Sequence, residues 1–180
     1  MAETKGLIIV HTGEGKGKTT AALGLALRAW GDGLRVLLVQ FIKGTWNCGE
    51  MKSLEVLQKA EGHLRVVRGG AGFVRHASPE EMAAHRQKAQ ATLALAEKEM
   101  QSGTWDMILL DEVNYAISFG LLDEAEVLRV LAEKPPQVHL VLTGRNAKEK
   151  ILAQADLVTE MHLVKHPFQK GIKAQKGIEF

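Results

Sequence analysis

Thr12-Gly13-Glu14-Gly15-Lys16-Gly17-Lys18-Thr19-Thr20 decides how this chain folds. An apolar run, Leu7-Ile8-Ile9-Val10, stands before it, and Ala21-Ala22-Leu23-Gly24-Leu25-Ala26-Leu27-Arg28-Ala29 follows. Strand, glycine-rich turn and helix in that order are the setting of a phosphate-binding loop. Glycine lets successive backbone N–H groups turn inward around an anion, and a helix beginning near Lys18 adds the positive end of its dipole. Lys18 offers a mobile positive charge to phosphate oxygens, and Thr19 offers a hydroxyl to Mg²⁺. Against the pattern G-x-x-x-x-G-K-[ST], Gly17, Lys18 and Thr19 fit the second half. Thr12 stands where the first glycine belongs, while Gly13 and Gly15 lie inside the loop. The stretch therefore reads as a nucleotide or polyphosphate site that holds its ligand otherwise than a kinase does.

Working outward, the chain repeats the alternation. Residues 6–11, 35–41, 63–67, 105–112, 137–142 and 156–163 read as strands. Their apolar residues are continuous rather than alternating, which indicates burial on both faces of a parallel sheet. Helices are expected over 19–30, 50–60, from Ser78-Pro79-Glu80-Glu81 to before Gly103, and over 123–132. The third of these starts with a capping serine, proline at the first position and glutamate three after the cap. Met82, Ala89, Leu93, Ala96 and Met100 form its inner face. Asn146 and Glu149 are expected to cap a further short helix. The pattern predicts one three-layer α/β domain over residues 1–180, with a largely parallel sheet of about six strands.

The C-terminal ends of the strands are where open α/β sheets bind ligands. Lys43 and Trp46 follow the second strand; they face a ligand, or are a solvated lysine and an anchoring tryptophan. Phe73 sits among Gly69, Gly70 and Gly72, either tucked into the core or presented to a flat ligand. Asp111 and Glu112 end an apolar strand as in a Walker B element, and adjacent strand residues point oppositely, so one can reach Mg²⁺ while the other points elsewhere. Arg145 also lies at this edge. The basic tail from Val164 carries five apolar residues and is expected to dock rather than fray.

Composition sets outer limits. The 180 residues are 46% hydrophobic and 24% charged, with a net charge of +2. That charge is too small, and its basic residues too scattered, to argue for nucleic acid. The single cysteine, Cys48, excludes an internal disulfide and fits a reducing compartment. No signal peptide is read before the first strand, and no apolar run approaches the roughly 20 residues of a membrane helix, so a cytoplasmic location is expected.

On Thr12–Thr20, Gln40-Phe41-Ile42-Lys43-Gly44-Thr45-Trp46, Leu110-Asp111-Glu112, Thr143-Gly144-Arg145 and the tail, the chain resembles the corrinoid adenosyltransferases of the phosphate-loop type. The resemblance spans nearly the whole chain in the right order. It implies a phosphate-loop NTPase-like (RecA-like) domain that transfers the 5′-deoxyadenosyl group of ATP to the cobalt of a reduced corrinoid such as cob(I)alamin. Cobalt(I) would attack C5′ and triphosphate would leave, with the nucleotide reversed in the loop. The resemblance assigns Gly13, Glu14, Gly15, Lys16, Gly17, Lys18, Thr19 and Thr20 to triphosphate. It assigns Thr19 and Glu112, with Asp111 beside them, to Mg²⁺. Phe73 matches an aromatic that faces the corrin and keeps an axial ligand off cobalt. Arg145 and His166 match residues around the nucleotide. A homodimer and a flavoprotein reductant are also implied. Arg75 stands where many members carry a second aromatic, which implies a more polar corrin environment or another aromatic in its place. Many members carry an extension before the first strand that helps cover the active site; five residues precede the first strand here. The rival readings are a small-metabolite kinase and a nucleotide-dependent switch.

Overall fold

Alternate residues of β1 (Ile8–Thr12) enter two separate cores. Ile8 and Val10 pack on one face of the sheet, and Ile9 packs on the other. This is what a continuous apolar strand does when helices cover both faces. The computed structural model describes residues 5–44, 48–72, 74 and 77–179. Trp46, Phe73 and Arg75 lie outside the described residues.

The further strands are β2 (Val36–Gln40), β3 (Leu64–Arg68), β4 (Met107–Asp111), β5 (His139–Thr143) and β6 (Leu157–Glu160). They form one sheet in the order β3-β2-β4-β5-β1-β6, and every pairing is parallel. Helices α1 (Lys18–Gly31) and α2 (Gly49–Glu61) cover one face through Ala22, Ala26, Ala29, Met51 and Leu54. Helices α3 (Pro79–Gln101), α4 (Val113–Ser118), α5 (Glu124–Ala132) and α6 (Glu149–Gln154) cover the other. The three-layer architecture and the parallel sheet are those expected from the strand composition.

The start of α3 forms as its sequence indicates. The Glu81 N–H donates to Ser78 Oγ at 3.2 Å, and the Ser78 N–H donates to Glu81 Oε2 at 2.7 Å. Four features differ from expectation. First, β6 has four residues rather than eight, and all four are exposed, because it is an edge strand without a helix on either side. Second, α4 follows β4 at once, with Glu112 as its N-cap in a left-handed conformation (φ 62°). Third, α6 is capped at Lys148 without a side-chain bond, and Asn146 is instead a left-handed turn residue (φ 56°). Fourth, the tail does not bury its apolar side chains. Val164 is 84%, Phe168 76% and Ile178 80% exposed. Pro167–Lys170 forms a 3₁₀ turn, and the contact with the body of the protein is polar, through an ion pair between Lys16 and Glu179.

Candidate active site

The phosphate loop leaves β1 at Gly13, whose φ is 92°. A Cβ there would come within 2.5 Å of the Met161 carbonyl oxygen, so a side chain is excluded by backbone conformation and by space. The Gly15 N–H donates to the same carbonyl at 2.6 Å. The residue after β6 therefore props the loop from below. Lys18 Nζ donates to the Gly13 and Gly15 carbonyls at 2.8 and 2.6 Å. Burial, and then the nearby Arg145 guanidinium, pull the Lys18 ammonium below the ordinary lysine range, against Glu112 and Glu14. A cation held by neutral carbonyls in a partly desolvated place is ready to exchange them for phosphate oxygens.

Behind the loop, three strands and the first turn of α1 meet on one carboxylate. Asp111, 1% exposed, accepts from Thr19 Oγ1 at 2.8 Å, Thr143 Oγ1 at 2.8 Å and Gln40 Nε2 at 3.1 Å. Lys43 Nζ stands 3.9 Å from it and 3.7 Å from Glu50. A buried carboxylate is tolerable only with such partners. For Lys43, burial works to lower the ammonium, but Asp111 and Glu50 outweigh it and hold it above the ordinary range.

Glu112 is the other acid, and it is placed differently. Its N–H donates to Thr143 Oγ1 at 2.8 Å, and its left-handed backbone turns the chain so that the side chain borders the cavity. Burial, and then the neighbouring Asp111 charge, raise its carboxyl above the usual carboxylate range. Lys43, Lys18 and Arg145 pull the other way. Arg145 is aimed by Gly144 (φ 127°), where a Cβ would lie 2.7 Å from the Tyr115 nitrogen. Arg145 also stands 3.5 Å from Glu14.

These residues surround a cavity of about 990 Å³. Lys18, Thr19, Lys43, Glu112 and Arg145 make its polar end, and Leu23 and Leu27 of α1 make an apolar wall. Lys16 and Thr20 border the same space. Gly13 contributes its carbonyl to Lys18, and the Glu14 side chain is exposed beside Arg145. His166 is not on the cavity wall; its Nδ1 accepts from the Phe168 N–H at 3.1 Å and caps the 3₁₀ turn.

Among the described residues, no group of three or more His, Cys, Asp or Glu converges as an all-protein metal cage would require. The donor set still fits Mg²⁺, which is held by one or two protein oxygens together with water and phosphate. Thr19 donates its proton to Asp111, which leaves the hydroxyl oxygen's lone pairs free, and Glu112 offers a carboxylate at the cavity.

Gln40, Thr143 and Tyr115 were not among the site residues read from sequence. The signal for the first two was present, because each is the polar residue that ends an apolar strand. Only the strand order, which pairs Gln40 with Asp111 and sets β5 beside β4, brings them together.

A sequence profile of the ATP:corrinoid adenosyltransferases BtuR/CobO/CobP matches residues 4–180. A corrinoid adenosyltransferase of Sinorhizobium sp is 44% identical over 180 residues, covering 99% of this chain and 82% of that protein. One from Escherichia coli K12 is 41% identical, covering 99% and 87%. Corrinoid adenosyltransferase CobA of Salmonella typhimurium is 39% identical over 178 residues, with the same coverage. Among solved structures, the flagellar accessory protein FlaH from Methanocaldococcus jannaschii superposes with a TM-score of 0.55 over 87% of this chain and 71% of that one. At 16% identity that likeness concerns the fold alone, an α/β architecture around a parallel sheet.

Proposed function

The chain belongs to the ATP:corrinoid adenosyltransferase family, which transfers the adenosyl group of ATP to a corrinoid in cobalamin biosynthesis or salvage, and from that premise we propose how its residues divide the work. The observation that carries the division is the pairing of Thr19 with buried Asp111 while Glu112 borders the cavity beside Lys18.

Lys18 and the N–H groups from Glu14 to Thr20, apart from the Gly15 N–H that is donated to Met161, bind the triphosphate, and Lys16 and Arg145 add positive charge at its flanks. The substrate chemistry is a displacement at C5′. The electron pair of cobalt(I) forms the cobalt–carbon bond, the C5′–oxygen bond breaks, and its electrons leave on triphosphate. Charge therefore grows on the leaving group, where fixed cationic and N–H donors stabilise it most. Thr19 and Glu112 hold Mg²⁺, which when bound supplies further positive charge to the triphosphate oxygens. Asp111 keeps the Thr19 hydroxyl turned so that its lone pairs face the ion. Lys43 balances the two acids. The remaining contribution is to hold two reactants in line.

The family resemblance supports further proposals. Trp46 faces the ligand, and His166, which caps the 3₁₀ turn away from the cavity wall, comes beside the nucleotide when it is bound. Phe73 faces the corrin and keeps an axial ligand from cobalt(II), which eases its reduction by a flavoprotein. The active unit is a homodimer in the cytoplasm, and a sedimentation mass of one chain at working concentration would contradict the dimer. Phe73→Ala is expected to slow adenosylation from cob(II)alamin with a flavoprotein reductant far more than from cob(I)alamin. Equal losses in the two assays would remove Phe73 from that role.

The binding assignment has a direct test. Inorganic triphosphate is expected to displace MgATP in equilibrium dialysis, while adenosine is not. Displacement by adenosine alone would place the main grip on the nucleoside instead of the loop.

A further inference from the structure

The polar machinery leaves one wall of the cavity without a use. Tyr115, the chain's single tyrosine, borders the cavity three residues beyond Glu112. Its ring stacks on Phe119, one helical turn further, with centroids 4.1 Å apart and planes at 19°. The backbone that carries the pair is a closed helical turn. The Ser118 hydroxyl and the Phe119 N–H both donate to the Tyr115 carbonyl, at 2.9 and 3.0 Å, while Ala116 and Ile117 between them are buried in the core. Gly144 packs against the Tyr115 nitrogen so closely that a Cβ there would fall 2.7 Å away. The shelf and Arg145 are thus set by one contact between α4 and the turn after β5.

We infer that Tyr115 is a binding residue for the corrin macrocycle, seating it beside the acids; this rests on the adenosyltransferase reading above. Three observations favour the macrocycle over the nucleotide base. The cavity, at about 990 Å³, is at the upper end of the 300–1,000 Å³ typical of small-ligand sites, so it has room for more than a nucleotide. Phe119, stacked on Tyr115 but not on the cavity wall, is 37% exposed, so the aromatic pair has one ring at the cavity and one open to solvent. A macrocycle wider than the cavity extends beyond it and can meet both. Finally, one face of the Tyr115 ring is taken by Phe119. The ring's cavity side then offers a flat apolar surface with a phenol at its tip, suited to a corrin's apolar face and its ring of amide side chains. Cobalt must reach C5′ while the triphosphate lies by Lys18 and Thr19, so the two ligands share this space.

One tyrosine permits a clean test on the unsubstituted chain. Biosynthetic 3-fluorotyrosine gives a single ¹⁹F resonance, from position 115. Paramagnetic cob(II)alamin with MgATP is expected to broaden that resonance severely, diamagnetic cyanocobalamin to shift it, and MgATP alone to leave its width unchanged. Tyr115→Leu is expected to raise KM for the corrinoid about tenfold with KM for ATP unchanged, and Tyr115→Phe to lie between. A sharp resonance while the visible spectrum shows cob(II)alamin bound to the protein, with cob(I)alamin adenosylated in a parallel anaerobic assay, would overturn the inference and leave the adenosyltransferase reading standing. A rise in KM for ATP instead would reassign the shelf to the nucleotide. Absence of any corrinoid binding or turnover would overturn both.

Discussion

Lys18, Asp111 and Glu112 are all charged and all near one another, yet their surroundings differ, and the tasks proposed for them differ accordingly. Lys18 is bound to two loop carbonyls that phosphate oxygens can replace. Lys18→Ala is therefore expected to lower kcat/KM for adenosylation by about a hundredfold or more, the scale of losing one preorganised donor to a developing anion. Near-normal kcat/KM would remove the lysine from the leaving-group site. Asp111 is spent on holding Thr19, Thr143 and Gln40. Asp111→Asn leaves it one acceptor oxygen where there were two, so its main cost is expected in stability, about 1–3 kcal/mol by denaturant unfolding. Glu112 keeps its carboxylate for the cavity, so Glu112→Gln is expected to raise the Mg²⁺ requirement more than Asp111→Asn does. The reverse order in a Mg²⁺ titration would exchange the two roles. The raised carboxyl of Glu112 adds a signature in pH. Between the ordinary glutamate range and its own higher one, the folded protein holds a proton that the unfolded chain has lost. Stability therefore falls as pH rises through that window. Without metal, Glu112→Gln is expected to melt higher than the parent at neutral pH, with the gap closing below about pH 4. A gap independent of pH would show that Glu112 carries no such strain.

At the scale of elements, the short helix α4 and the turn after β5 carry the site, and they were the least legible parts of the sequence. No helix is read from the sequence over Val113–Ser118, and nothing in Asp111-Glu112 signals that Glu112 takes a left-handed conformation. The turn is specified by contact between α4 and Gly144, which are far apart in sequence. Gly144→Ala is expected to destabilise the protein by about 1–3 kcal/mol, from the strained φ and the clash with Tyr115. It is also expected to weaken MgATP binding by displacing Arg145. A variant with unchanged melting and unchanged ATP affinity would show that this packing is not what aims the arginine. By contrast, the cap of α3 was legible because it is local: Ser78, Pro79 and Glu81 need only each other. The tail docks as its sequence suggested, with Gly177, Ile178 and Glu179 bordering the cavity, but not by burying its apolar residues: the bonded contact is the polar one between Lys16 and Glu179.

The whole molecule explains why strand ends separated by a hundred residues make one site. The order β3-β2-β4-β5-β1-β6 sets the C-terminal ends of β2, β4, β5 and β1 side by side. Gln40, Asp111, Thr143 and the phosphate loop follow from that order. Each strand could be found from its run of apolar residues, and the loop from its glycines. The neighbour relations could not, because they belong to the topology. The central claim is that this arrangement stabilises triphosphate as a leaving group while a reduced corrinoid attacks C5′. The most direct test is an anaerobic reaction of the protein with MgATP and chemically reduced cob(I)alamin, followed by the visible spectrum and by quantitation of phosphate products. The predicted result is conversion of the cob(I)alamin spectrum to that of adenosylcobalamin, with one inorganic triphosphate released for each cobalt–carbon bond formed. Release of ADP or orthophosphate with the corrinoid spectrum unchanged would contradict it.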